Sequence, residues 1–355
     1  MKKYLLLPVF LFLLISDLYS FNNITLFWYE PIIKDNFNIE PYTISPVIYN
    51  DKLIVFSENG INSVNSSTGK LHLEKKITSS LISNPVIFNN KLVWADNDGN
   101  ISFYFDNGAD KSLTKIKTED LITSDIIVCN NYLVFQGLNG IYWIDTKGKL
   151  SEIPFGTEHK HILWGKIKPY CENGFVYTAG YGRFLKVSLE EKIILETSVI
   201  PVEHDEIIEG SYKNITFPVL KIGDEFIIAS PYTILAVKKN VVLWKKDLNI
   251  SGLNIIDDKI VLTLREGKLL FLDADGKSVK ETVFSDKNSV YSSPYKITDN
   301  LLFVGGNKYI NIYDMSKKKW SKYYITSGFT AGPILWDSFV YLISGHGFLY
   351  KFKID

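Results

Sequence analysis

The side chains able to do chemistry in this sequence fall into a few short groups. His159 and His161, separated by Lys160, would lie on one side of an extended strand and offer two imidazoles to a metal ion. A zinc site needs a third and usually a fourth ligand, and none stands nearby, so the pair reads as an exposed linker. Glu203, His204, Asp205 and Glu206, with Glu209 close behind, form the densest acidic stretch of the chain. Such a stretch suits a cation or a basic protein surface, against the plainer alternative of a solvated loop. Ser344-Gly345-His346-Gly347 sets a hydroxyl two residues from an imidazole. A G-x-S-x-G nucleophile works only between a strand and a helix, and strand-like sequence flanks this one on both sides, so a hairpin turn is expected. Lys317-Lys318-Lys319 reads as a hydrated turn. Cys129 and Cys171 are the only thiols, and without C-x-x-C spacing they make no zinc framework. An oxidising compartment would permit a bridge between them, but the reading adopted is two separate, small core residues.

These groups must be positioned by a repeating framework. Eight times the chain gives a short apolar strand, a turn of Asn, Asp or Gly, and a second strand rich in Val, Ile and Phe. Ser45-Pro46-Val47-Ile48-Tyr49-Asn50-Asp51-Lys52-Leu53-Ile54-Val55-Phe56 is the first copy, and Asn84-Pro85-Val86-Ile87-Phe88-Asn89-Asn90-Lys91-Leu92-Val93-Trp94 the second. The residue before each turn is Tyr49, Phe88, Cys129, Cys171, Ile222, Ile256, Ile297 and Trp336, with a mean step of 41 residues. A third strand follows, as in Gly140–Asp145, then a turn such as Ser67-Thr68-Gly69-Lys70 and a fourth strand such as Val242–Lys246. Four short antiparallel strands in about 41 residues make one propeller blade. The eighth copy stops after three strands, and the segment Thr25–Glu30 supplies the missing fourth. The expected fold is therefore all-β: an eight-bladed β-propeller closed by pairing the N-terminal strand with the C-terminal blade, one domain over residues 21–355. The 14% aromatic content then reads as packing between tapered blades.

Composition excludes several functions. Lys+Arg and Asp+Glu both number 39, and only Arg183 and Arg265 are arginine. A nucleic-acid binder carries a basic excess and uses arginine forks on phosphate, so none is expected as a partner. Lys2 and Lys3 precede an apolar run from Tyr4 to Ile15, too short to span a bilayer and suited to an export signal over residues 1–20. An uncleaved anchor is the alternative. Leu18-Tyr19-Ser20 resembles the start of a bacterial lipobox, but Phe21 stands where the lipid-bearing cysteine would be, so no lipid anchor is expected.

The third-to-fourth-strand turn, with Thr68-Gly69-Lys70 as its fullest copy, resembles that of the PQQ-like β-propeller repeat family. That family often sets a tryptophan three residues further on. Leu73 holds that place in the first repeat, while Trp28, Trp244 and Trp320 look like docking tryptophans in others. Within the family the layout is most similar to the BamB group, propellers of the machinery that assembles outer-membrane β-barrel proteins. That group's Leu-Arg-Gly-x-x-x-Pro pattern resembles Leu163-Trp164-Gly165-Lys166-Ile167-Lys168-Pro169, and the longest repeat step, 51 residues, follows the same blade. Trp164 stands at the arginine with which the group contacts its barrel subunit.

The resemblance implies a non-enzymatic periplasmic scaffold, a monomer within a complex, holding an envelope protein such as a barrel-assembly subunit. Its partner face would be Leu163, Trp164 and Gly165 together with Glu203, Asp205, Glu206 and Glu209, and extended substrate strands could add to exposed blade edges. No cofactor or metal is expected. The family's enzymes are quinoprotein alcohol dehydrogenases holding PQQ and Ca²⁺, with adjacent cysteines and often a haem domain; this chain has neither adjacent cysteines nor C-x-x-C-H. No converging set of six to eight oxygens for Ca²⁺ can be picked out, since Asp and Asn cluster in turns. A propeller binding glycan or peptide in its channel is the remaining alternative.

Overall fold

The computed structural model describes residues 24–33, 43–155, 167–180, 183–199, 217–239, 241–285, 288–306, 308–325 and 327–354. They form eight four-stranded antiparallel sheets. Blade 1 consists of Val47–Tyr49, Lys52–Ser57, Gly60–Val64 and Leu71–Lys76. Blades 2 to 7 repeat the pattern from Val86, Ile127, Tyr170, Leu220, Ile250 and Tyr295. Blade 8 takes Ile334–Trp336, Phe339–Ile343 and Phe348–Ile354 from the C-terminus and Ile24–Pro31 from the N-terminus, so the expected closure is observed.

Strand chemistry follows position in the blade. The two central strands are buried on both faces and read as unbroken apolar runs: Leu53, Ile54, Val55 and Phe56 are all at most 3% exposed. Alternate residues serve opposite neighbours. Leu53 and Val55 join the cluster shared with blade 8, whereas Ile54 and Phe56 join the cluster shared with blade 2. The core is accordingly eight separate hydrophobic clusters, one in each seam between neighbouring blades. Aromatic rings fill these seams, as where Tyr177 of blade 4 stacks on Phe226 of blade 5 at 4.1 Å. First strands, which converge at the axis, run only three or four residues in every blade but the sixth, and those of blades 2, 3 and 4 touch in succession.

The Asn- and Asp-rich turns have a conformational cause. Asn50-Asp51, Asn89-Asn90, Asp257-Asp258 and Asp337-Ser338 all have positive φ at both residues, the two-residue hairpin turn that matches strand twist. Short polar side chains tolerate that region best. In two blades the turn starts one residue later than the sequence pattern suggests, after Glu172 and Thr298. A bulge between Lys296 and Thr298 absorbs the extra residue in blade 7.

The cysteines correct the sequence reading. Cys129 and Cys171 are bridged, with Cα atoms 5.6 Å apart, joining the first strands of blades 3 and 4 near the axis. Cys171 is the middle residue of its strand and Cys129 the last of its own, and that one-residue offset turns the two side chains toward each other across the seam.

Two of the three tryptophans dock as expected. Trp28, in the closing strand of blade 8, donates Nε1–H to the Ser66 carbonyl of blade 1 at 3.1 Å. Trp244 of blade 5 donates to the Ala274 carbonyl of blade 6 at 2.7 Å. Each follows a β-bulge that carries the indole onto the face of the next blade: Leu26 and Trp28 are two residues apart yet serve opposite seams. Trp320 differs. The pairing of its strand has no bulge, so it faces backwards into the seam with blade 6 and donates to Thr282 Oγ1 at 2.9 Å.

Two consequences can be measured. Trp28→Ala removes the indole and its hydrogen bond from the closing seam and should lower stability by about 3 kcal/mol, read from the denaturant midpoint. Replacing both cysteines by serine frees a loop of 42 residues and should cost up to about 4 kcal/mol on the chain-entropy account. Reductant should then shift the midpoint of the parent chain and leave that of the double variant unmoved.

Candidate functional site

The seams and the axial channel are where the ring gathers polar side chains. At one end of the channel the residues entering the first strands tie neighbouring blades together. Gly332 N–H of blade 8 donates to Ser45 Oγ at 2.8 Å, Ser45 N–H to Asn84 Oδ1 at 2.9 Å, and Asn84 N–H to Asp125 Oδ1 at 2.9 Å. Asp125 N–H continues to the Ile167 carbonyl at 2.9 Å, and Val219 N–H reaches the Lys168 carbonyl at 3.0 Å. This belt runs from blade 8 through blade 5. Blades 6 and 7 are joined separately by Leu253 N–H to Ser293 Oγ at 3.2 Å and Asn254 Nδ2–H to the Pro294 carbonyl at 3.0 Å.

The belt's carboxylate faces inward. Both Asp125 oxygens accept from the Asn84 amide, at 3.4 and 3.1 Å. Burial, and behind it the negative charge of Asp125, pushes the Tyr295 phenol up to about 12. Tyr295 belongs to blade 7 and Asp125 to blade 3, which stand opposite each other in the ring. The arrangement is a set of oriented, largely satisfied dipoles that fixes blade positions. Among the described residues no three His, Cys, Asp or Glu side chains converge as metal ligands do.

A second polar cluster lies in the seam between blades 1 and 2. Lys52 Nζ sits 3.2 Å from Glu74 Oε1 and 3.7 Å from Asp106 Oδ2. Lys111 Nζ bonds Glu74 Oε2 and lies 3.6 Å from Asp106 Oδ2, so two ammoniums and two carboxylates alternate. Tyr49 O–H donates to the Asn90 carbonyl at 2.9 Å and accepts from Asp106 N–H at 3.1 Å. The Glu74 side chain is only 2% exposed. Burial raises its pKa, but hydrogen bonds from Lys111, Ser63 and Lys52 outweigh that and hold it down to about 2. The charge quartet takes the place of a docking indole here, beside the half-exposed Leu73.

The candidate residues read from the sequence are placed unevenly. Leu163, Trp164, Gly165, Glu203, Asp205, Glu206 and Glu209 lie outside the described residues, as do His159 and His161. The segment Ser344–Gly347 is the turn between the second and third strands of blade 8, closed by Gly347 N–H to the Ser344 carbonyl at 2.8 Å. Lys317 and Lys318 belong to the third-to-fourth-strand turn of blade 7 and Lys319 opens the fourth strand; Lys317 pairs with Asp314 at 3.2 Å. Neither the axial belt nor the charge quartet was found from sequence. The belt has a faint signal, the Ser-Pro, Asn-Pro and Lys-Pro pairs before the first strands. The quartet has none, because its members come from four separate strands.

No protein-family model matches the chain, and no curated protein matches its sequence. Solved structures do resemble it. BamB from Moraxella catarrhalis is similar with a TM-score of 0.73 at 12% identity, covering 93% of this chain and 99% of that one. Sqt1 of Saccharomyces cerevisiae is similar at 0.68 and 11% identity, over 92% and 99% of the two chains. Streptogramin B lyase is similar at 0.57 and 12% identity, over 95% and 99%. At these identities the likeness is one of fold.

The quartet makes stability depend on acid. A carboxyl with a lowered folded pKa contributes fully above its unfolded value of 4.5, and the contribution is lost as pH falls toward 2. A depression of this size corresponds to about 3 kcal/mol. Glu74→Gln should remove that portion of the acid sensitivity, flattening the denaturant midpoint between pH 5 and pH 2 relative to the parent (the window spans roughly both pKa values).

Proposed function

We propose that this chain is a non-enzymatic scaffold of the bacterial envelope that holds a partner protein during outer-membrane β-barrel assembly, as the BamB group does. The observation that carries this reading is the likeness of the whole closed ring to BamB, over 93% of one chain and 99% of the other. The Leu163–Pro169 segment adds to it. Its described end, Ile167 to Pro169, leads into the first strand of blade 4, and Ile167 pairs in parallel with Ser124 of blade 3. The 203–209 acidic stretch follows Ile193–Val199 and precedes Phe217, so in sequence both segments stand between the fourth strand of one blade and the first strand of the next.

Export through residues 1–20 would deliver the chain to the periplasm, where a disulfide such as Cys129–Cys171 is kept oxidised. Trp164 in place of an arginine exchanges a charged contact for an apolar anchor, a residue type enriched at interface hot spots. Glu203, Asp205, Glu206 and Glu209 would face basic groups of the partner.

The deciding experiment is affinity capture of a barrel-assembly subunit from the same cell by the parent chain and by Trp164→Ala. The variant should keep the parent's thermal midpoint and lose about 2 kcal/mol of binding, some 30-fold in Kd. Equal capture by both proteins would remove Trp164 from the partner face. Failure of the parent to capture any such subunit would overturn the assembly role.

A further inference from the structure

The turn between the third and fourth strands is built alike in blades 3 and 6. In blade 6, Asp273 N–H donates to the Lys277 carbonyl and Gly276 N–H to the Asp273 carbonyl, both at 3.0 Å, and Lys277 N–H to Asp273 Oδ1 at 2.7 Å. In blade 3, Asp145, Gly148 and Lys149 make the same three bonds at 3.1, 3.0 and 2.8 Å. The glycines share positive φ, 74° at Gly276 and 83° at Gly148. What covers them differs. A Cβ on Gly276 would fall 2.7 Å from the Trp244 indole, and one on Gly69 of blade 1 would fall 2.8 Å from that of Trp28. Over Gly148 the nearest atom to such a Cβ is Ile116 Cδ1, at 3.9 Å.

The cause lies in the fourth strand of blade 2. Its pairing has no bulge, and it places Thr114 and Ile116 at the seam where an indole would otherwise arrive. A cavity of about 230 Å³ remains, walled by Phe88, Phe103, Thr114, Ile116 and Gly148. That volume is below the roughly 300–1,000 Å³ of small-molecule sites, so it fits one side chain better than a whole ligand. Its rim carries Lys91, Lys115 and Lys147 and one carboxylate, Asp145, whose Oδ1 accepts the backbone N–H groups of Lys147 and Lys149 at 2.9 and 2.8 Å. Lys115 is paired with Asp96 at 3.4 Å, whereas Lys91 and Lys147 make no ion pair among the described residues.

We propose that this cavity is an open indole socket that receives a tryptophan of a partner protein from an acidic segment. The indole would cover Gly148 and donate its N–H to the Thr146 carbonyl, the counterpart of Ala274 in blade 6. Lys91 and Lys147 would meet the flanking carboxylates. The same ring thus supplies the precedent for the occupant at two other seams, and the rim supplies its charge. The socket is built on the third-to-fourth-strand turn of blade 3 and uses none of the residues assigned to the partner face, so it stands or falls independently of the assembly role.

The test uses the full exported chain and a fluorescein-labelled peptide with one tryptophan between two pairs of glutamates, titrated by fluorescence anisotropy. Saturable binding with a Kd of ~0.1–1 mM is expected for a single aromatic anchor with charge support. Replacing the peptide's tryptophan by alanine, or Lys91 and Lys147 by glutamate, should weaken it at least about tenfold. Thr114→Trp, at an exposed position, should fill the socket from within: peptide binding is lost while the thermal midpoint rises by about 1–2 °C. No saturable binding to the parent chain, equal binding of the alanine peptide, or undiminished binding to Thr114→Trp would each overturn the socket. Equal affinity for a lysine-flanked tryptophan peptide would overturn the acidic character of the partner.

Discussion

Ring closure is the constraint on which the rest of this structure depends. Each hydrophobic cluster needs blades on both sides, so an open array would lose one seam and leave two sheets with bare faces. Closure is made by the N-terminal strand Ile24–Pro31 pairing with Phe348–Ile354 and is locked at one carbonyl. Ser66 O of blade 1 accepts both Trp28 Nε1–H at 3.1 Å and Lys351 Nζ at 2.7 Å. Lys351 is buried against aromatic rings, its Nζ 3.7 Å from the Phe339 centroid. Burial lowers its pKa, an effect that the charge of Asp337 partly offsets, while the carbonyl and the ring faces supply what solvation the ammonium retains.

The eight seams solve one packing problem with different chemistry. An indole over a glycine serves two of them, a charge quartet serves the seam of blades 1 and 2, and a disulfide crosses the seam of blades 3 and 4. Between blades 6 and 7, Lys280 Nζ lies 4.5 Å from the Tyr313 centroid. A repeat fixes the backbone of every blade, so sequence can drift in the seams as long as each stays filled. The seam of blades 2 and 3 is incompletely filled at its outer turn, and that departure, rather than the repeat itself, carries the proposed socket.

Much of the fold was legible because its signals are local. Asn, Asp or Gly marks the first turn of each blade, at positive φ in all but the seventh, and the step between the turns sets the blade length. The orphan strand around Trp28 was legible as closure because the eighth copy lacks a fourth strand. What failed to read involved strand register. A bulge cannot be seen in a fourth strand, yet it decides which face an indole takes, so Trp320 passed for a forward-docking residue. A one-residue shift of the turn after Glu172 likewise hid the geometry that brings Cys171 to Cys129. The candidate partner residues were read from connections, where no periodicity constrains the chain.

The lysine-rich composition gains a physical role from the same geometry. Fourth strands form the outer rim and present free edges to solvent, and an unprotected edge invites strand addition. Here those strands carry Lys75 and Lys76 in blade 1, Lys115 and Lys117 in blade 2, Lys245 and Lys246 in blade 5, and Lys319 and Lys322 in blade 7. Bulges interrupt the fourth-strand pairing of blades 1, 4, 5, 6 and 8. Charge and bulges both blunt an edge, so the rim is poorly suited to pairing with extended segments. Any recognition by the ring then falls to side chains rather than backbone edges, as in the socket proposed between blades 2 and 3.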